Sequence, residues 1–210
     1  MSQTAVNEMK RVNTAGRADV RKLCVTGMLS AISFVLMFLD FSVPFIMPTF
    51  IKLDISELPA LVGAFSLGPV YGVIICLIKN LINFLVRTTT GGVGELSNFI
   101  LGAVFVYTAG LFYKRKKAKK TALIGATVGA VIMAIFSVFS NYYLVYPIYT
   151  AFMPMEAIMA AYQAINPNVH NLWDALIWFN MPFTFAKGML DVLITMLIYK
   201  KLSPILKGNR

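Results

Sequence analysis

Apolar residues in this chain come in long runs separated by short polar connectors, with none of the strict alternation that marks half-buried strands. The runs predict helices over Leu23–Leu39, Ser56–Leu67, Val70–Val86, Glu95–Tyr113, Ala122–Pro147 and Trp173–Tyr199. About 20 apolar residues cross the ~30 Å hydrocarbon core of a bilayer. Most of the runs reach that length; Ser56–Leu67 is short and stops at Gly68-Pro69. The expected fold is an all-α, polytopic membrane protein with six transmembrane helices. Residues 1–22 are expected to form an amphipathic or disordered cytoplasmic arm, 23–202 the membrane domain and 203–210 a cytoplasmic tail.

Two connectors stand out. Asp40 to Asp54 is broken by Pro44 and Pro48, yet carries Phe41, Phe45, Ile46, Phe50 and Ile51. A loop this apolar does not float in water. It either folds over the end of the bundle as a lid or packs into it. Tyr149 to Leu172 is the other long loop and holds Glu156 and the single histidine, His170, read as an ordinary loop residue. Ser56 is expected to cap the second helix, with Pro59 in its first turn. Gly125, Ala126, Gly129 and Ala130 open the fifth helix with a face that permits close helix contact.

The sixth run is not uniformly apolar. Asn180, Thr184, Lys187 and Asp191 are spaced to fall in one narrow stripe at about 100° per residue. A lysine or aspartate in lipid costs about 2.5–3.5 kcal/mol on insertion scales, so the stripe faces protein, water or a ligand. Phe179 and Phe183 flank it, and Pro182 frees a backbone carbonyl nearby. The same stripe suits a binding helix or a polar seam between helices.

Composition and charge sharpen this picture. Of 210 residues, 58% are hydrophobic and only 13% charged, well under the roughly 25% of soluble domains. The net charge of +10 sits in clusters flanking the apolar runs, which is the positive-inside pattern and argues against nucleic acid as a partner. With six spans, fifteen of the nineteen Lys and Arg residues fall on the side of the two termini; Lys52, Lys79, Arg87 and Lys187 are the exceptions. Both termini are therefore expected in the cytoplasm. No signal-peptide pattern is read in the polar first 22 residues, so the first run is expected to stay as a span. Cys24 and Cys76 lie within apolar runs and are expected to be free and buried.

The sequence offers no glycine-rich phosphate loop, no Ser-His-Asp arrangement and no metal-ligand spacing, so neither catalysis nor a bound metal is expected. It offers polar groups at membrane depth on several helices: Lys79, Asn80, Asn83, Asn141 and the stripe of the sixth run. Tyr142, Tyr146, Trp178, Phe179 and Phe183 are interleaved with them. A cavity with aromatic walls and a few fixed polar groups suits a flat, partly polar small molecule. Lys79 has a second reading, an ion pair with Glu57 or Glu95, and Ser97 and Asn98 have one as helix-packing contacts.

Lys52-Leu53-Asp54-Ile55-Ser56-Glu57-Leu58-Pro59, Gly68-Pro69-Val70-Tyr71-Gly72 and Ile78-Lys79-Asn80-Leu81-Ile82-Asn83 resemble the substrate-binding (S) components of energy-coupling factor vitamin transporters, most closely the riboflavin-specific branch. Glu95-Leu96-Ser97-Asn98-Phe99, Asn141 to Tyr149 and Pro182-Phe183-Thr184-Phe185-Ala186-Lys187-Gly188 fit the same pattern. The resemblance implies six helices that bind one vitamin on the extracellular side, with riboflavin or a related flavin as transported ligand and no cofactor. It also implies a transmembrane T component and two cytoplasmic ATPase subunits as partners. Asn141 and Lys187 would be flavin contacts, with Asn180, Phe183, Thr184, Lys79 and Asn83 completing the candidate site. The family's Pro-Phe-Asn-x-x-Lys carries Thr184 here in place of Asn, which leaves another vitamin or flavin analogue as the alternative ligand. Gly27 and Ala31 resemble the family's small-residue surface for docking the T component; internal packing is the other reading.

Overall fold

The computed structural model describes the backbone of residues 3–207 and the side chains of 19–198 and 201. Its helices are α1 (Gln3–Met37), α2 (Glu57–Ser66), α3 (Pro69–Arg87), α4 (Val93–Arg115), α5 (Lys119–Ser140), α6 (Tyr146–Tyr149), α7 (Met155–Gln163), α8 (Leu172–Ala175) and α9 (Met181–Lys207). Two π-helical turns, Asn141–Val145 and Leu176–Asn180, fuse α5 to α6 and α8 to α9. Among the described residues there is no β-strand, only an isolated antiparallel bridge between Phe41 and Leu53.

Five helical stretches among the described residues are long and apolar enough to cross a membrane: Asp19–Met37, Pro69–Arg87, Val93–Arg115, Lys119–Tyr149 and Leu172–Ile198. The sixth expected span, α2, has ten residues. At 1.5 Å per residue it covers about half the hydrocarbon thickness. Its hydrophobicity has a different origin: Pro59 to Phe65 are all buried because α2 runs inside the bundle, packed by α1, α3, α4 and α9. Glycines let the neighbours approach. A Cβ on Gly72 would come 2.7 Å from Ala64 Cβ, and one on Gly110 would come 2.9 Å from Pro69. Gly68, at φ +119°, makes the reversal from α2 into α3 that a side chain would strain.

The small-residue face expected at the start of α5 is buried against α4, where Gly129 meets the Phe105 carbonyl. Outward-facing apolar residues such as Leu23, Leu85, Ile135 and Leu197 clothe the bundle as a lipid-facing surface would. Three sequence expectations change. The first helix does not start near Leu23: it is continuous from Gln3. Likewise α9 continues through Lys207, past the expected end of the run at Tyr199, while residues 1–2 and 208–210 lie outside the described residues. Cys24 is free but exposed on the outer face of α1, whereas Cys76 is free and buried.

Candidate ligand-binding site

Beneath the connectors at one end of the bundle lies a cavity of about 220 Å³, walled by the Asp40–Asp54 loop and by α2, α3, α4, the two π-turns and α9. The stripe on the last helix points into it. Asn180, Thr184, Lys187 and Asp191 all line the cavity, with Phe183 beside them. Asn141 reaches it from the first π-turn and Asn83 from α3. The polar seam is thus neither lipid-facing nor filled by another helix.

The π-turns explain how two asparagines arrive there. Each ends two residues before a proline, Pro147 in one case and Pro182 in the other. A proline lacks the N–H for the i−4 carbonyl and its ring crowds that carbonyl, so the preceding turn widens. Asn141 opens the first widened turn and Asn180 closes the second. Both are buried at the cavity wall.

Lys187 holds the centre of the floor. Its Nζ donates to Asp54 Oδ2 at 2.9 Å and Asn98 Oδ1 at 3.3 Å, and lies 3.5 Å from Glu57 Oε2. Lys79 does not line the cavity. It is completely buried behind the floor, donating to Glu57 Oε1 at 2.7 Å and Ser56 Oγ at 2.5 Å. Of its two sequence readings the structure takes the ion pair. Ser56 is correspondingly not a side-chain cap for α2. Its hydroxyl donates to Asp54 Oδ1 at 2.5 Å, and its carbonyl accepts from Ser33 Oγ of α1. Gly102 gives α4 room to pass Glu57; a Cβ there would sit 2.9 Å from Oε1.

Burial alone would raise the Asp54 carboxyl, but the ammonium groups of Lys187 and Lys79 and the Ser56 hydrogen bond hold it well below the ordinary carboxylate range. Asp54 stays charged and ties the end of the loop to α9. Near the rim, Asp40 takes two hydrogen bonds from Arg87 Nη2, both 2.8 Å, and one from Lys52 at 3.0 Å. Its carboxyl too is lowered, because these cations outweigh the upward push of burial. Asn83 donates to Glu95 Oε1 at 2.8 Å, and Thr88 and Thr90 donate to Oε2.

The aromatic wall differs from the expected one. Tyr142 packs outward against Tyr143 and Trp173, and Trp178 is 70% exposed, so neither lines the cavity. Phe179 packs against Tyr162, also outside the lining. The cavity's own aromatic residues are Phe50, Tyr146, Tyr149 and Phe183. Phe50 sits 5.8 Å from the Tyr149 ring and 6.2 Å from that of Tyr162. Tyr146 and Tyr162 share a hydroxyl–hydroxyl hydrogen bond of 2.5 Å, and burial pushes the Tyr162 phenol up to about 12 in spite of it. Sequence reasoning offered Glu57 as a partner for Lys79, but missed Asp54 as the partner of Lys187 and Glu95 as that of Asn83. Their only signal was that they sit where apolar runs begin.

Residues 21–199 match the family model of the ECF transporter, substrate-specific component. The chain belongs to that family. It is 34% identical over 187 residues to the riboflavin transporter RibU of Staphylococcus aureus (strain TCH60), covering 89% of this chain and 93% of that protein. It is 31% identical over 193 residues to the riboflavin transporter FmnP of Bacillus subtilis (strain 168), covering 91% and 96%. A solved S component of a bacterial ECF transporter superposes with a TM-score of 0.69 at 32% identity, over 90% of this chain and 99% of that one. This S component is accordingly an all-helical, multi-pass membrane protein of a transporter family, and the family is not one of enzymes.

Proposed function

We propose that this S component captures riboflavin from the extracellular side of the cell membrane and presents it for ATP-driven uptake. The observation that carries the reading is the cavity that gathers Asn141, Asn180, Thr184 and Lys187 beside Phe183, all on the apolar stretches Lys119–Tyr149 and Leu172–Ile198. Amide and ammonium donors fit the carbonyl-bearing edge of an isoalloxazine, and aromatic side chains fit its faces. The relatives that match nearly the whole chain are riboflavin transporters, which supports the same ligand.

In this reading the membrane domain is a six-helix bundle in which the short, buried α2 counts as the sixth helix. Both termini and the Lys114–Lys120 connector face the cytoplasm, where most of the Lys and Arg residues gather. The cavity then opens outward under the Asp40–Asp54 loop, which acts as a lid. Asn83 serves indirectly, by holding Glu95, whereas Lys79 supports the fold through its buried pair with Glu57. A T component docks on the outer face of α1, where Gly27 and Ala31 are exposed and an added Cβ on Gly27 meets none of the described residues within 4 Å. Two cytoplasmic ATPase subunits supply the energy for reorientation and inward release.

Titration of the purified chain with riboflavin, followed by quenching of flavin fluorescence, tests the reading. Saturable tight binding at one site is expected. No flavin binding, with another vitamin bound in its place, would overturn it.

A further inference from the structure

Five carboxylates line the cavity: Asp40, Asp54, Glu57, Glu95 and Asp191. Four have donors in place. Arg87 and Lys52 serve Asp40; Lys187 and Ser56 serve Asp54. Lys79 serves Glu57, and Asn83, Thr88 and Thr90 serve Glu95. Asp191 is different. It is only 1% exposed, and among the described residues neither carboxylate oxygen has a hydrogen-bond partner. A buried carboxylate left so is costly. Lys187, one helical turn away on the same face, already donates to Asp54 and Asn98. Lys79 is committed to Glu57 and Ser56. Thr195, one turn further along the helix, has a buried hydroxyl that makes no hydrogen bond among the described residues either. Asp191 lies on the cavity lining, so a bound ligand can supply the donor.

We propose that Asp191 reads the ligand, its carboxylate accepting a hydrogen bond from the imide N–H of the bound flavin. This rests on the flavin reading above. The pyrimidine edge of an isoalloxazine presents a carbonyl, an N–H and a second carbonyl. The carbonyls call for donors, which Asn141, Asn180 and Lys187 provide. The N–H calls for an acceptor. Where the family pattern carries an asparagine, Thr184 offers only a short hydroxyl, whereas Asp191 on the same stripe carries a carboxyl oxygen that accepts in either protonation state. An acceptor of this kind also selects. A ligand that lacks the N–H leaves a buried carboxylate unpaired, and sites built this way reject such analogues far more strongly than apolar pockets do.

The test pairs a change in the protein with a change in the ligand. The full chain and its Asp191→Ala and Asp191→Asn variants are titrated with riboflavin and with N3-methylriboflavin, which cannot donate from N3. Wild type is expected to prefer riboflavin by about 10- to 100-fold, the scale of one hydrogen bond to a charged group. In Asp191→Ala that preference collapses to near unity, chiefly through weaker riboflavin binding, with N3-methylriboflavin little changed. Asp191→Asn keeps the side chain's shape and an acceptor oxygen, guards against misfolding, and is expected to retain part of the preference. Undiminished discrimination in both variants, or equal weakening of both flavins in Asp191→Ala, overturns the proposal. Wild type binding neither flavin would instead bring down the flavin reading, and this inference with it.

Discussion

Lys79 and Glu57 form a 2.7 Å ion pair in which neither side chain is more than 3% exposed. Removing one member of such a pair leaves the other charge buried alone, typically at a cost of 3–5 kcal/mol. Lys79→Met is therefore expected to destabilise the protein by about 3–5 kcal/mol. Because Lys79 lies outside the cavity lining, the protein that remains folded should bind flavin almost as wild type does. Thermal unfolding in detergent, set beside a flavin titration, separates the two. A wild-type melting curve with lost affinity would make Lys79 a ligand contact after all.

Lys187 gives the opposite pattern. Its ammonium lies at the cavity floor and can turn a donor toward a ligand carbonyl. Lys187→Ala is expected to weaken riboflavin binding by about 10- to 100-fold, the range of a charge-assisted hydrogen bond. Asp54 keeps its hydrogen bonds from Ser56 N and Oγ, so the fold should survive. Equal affinities for the variant and the wild type, by fluorescence quenching, would remove Lys187 from the site.

The contrast between these lysines shows where the sequence was legible. Helical phase put Lys187 on one stripe with Asn180, Thr184 and Asp191, and all four line the cavity. Phase could not say that Lys79 faces α2, because its partner is 22 residues away and the pairing depends on how two helices are set together. The apolar run of α2 misled for a related reason: burial inside a bundle and burial in lipid leave the same composition. Pro147 and Pro182 were visible as interruptions, but whether a proline kinks a helix or widens a turn depends on its packing. Trp178 and Tyr142 face outward as ordinary helical phase dictates, since two residues from Asn180 and one from Asn141 are about 200° and 100° away from the polar stripe.

The Asp40–Asp54 loop is anchored at both ends, by Asp40 to Arg87 and by Asp54 to Lys187, with Phe50 packed on Tyr149 between them. As a lid it should set the rate of ligand escape. Phe50→Ala is expected to raise the riboflavin dissociation rate several-fold with a smaller change in association, measured by stopped-flow fluorescence. Unchanged rates in both directions would leave the loop a packing element.

The rim anchor has a pH signature. Asp40 is held below its ordinary value of 3.8 in the folded protein. A lowered folded value means that the pairing contributes in full above the ordinary value and is lost as pH falls through the lowered one. Dissociation of riboflavin should therefore be flat from about pH 8 to pH 5 and accelerate only below about pH 4. Asp40→Asn should dissociate faster at neutral pH and lose that acid limb. An identical acid limb in wild type and variant would assign it to another group.

The last prediction concerns assembly rather than capture. On α1, Leu23, Met28 and Val35 are exposed around Gly27 and Ala31, while Thr26, Ser30 and Ser33 face inward. Among the described residues nothing touches a Cβ built on Gly27. Internal packing is therefore no reason for a small residue there, but close approach of a partner helix is, since small side chains let two backbones come together. Gly27→Leu together with Ala31→Leu should leave the melting temperature and riboflavin affinity of the isolated chain unchanged, or raise stability slightly through better helix propensity. Co-purification with the T component and ATPase subunits should fall sharply, and flavin uptake by cells with it. If the double variant assembles and transports normally, the T component docks elsewhere and this face of α1 meets only lipid.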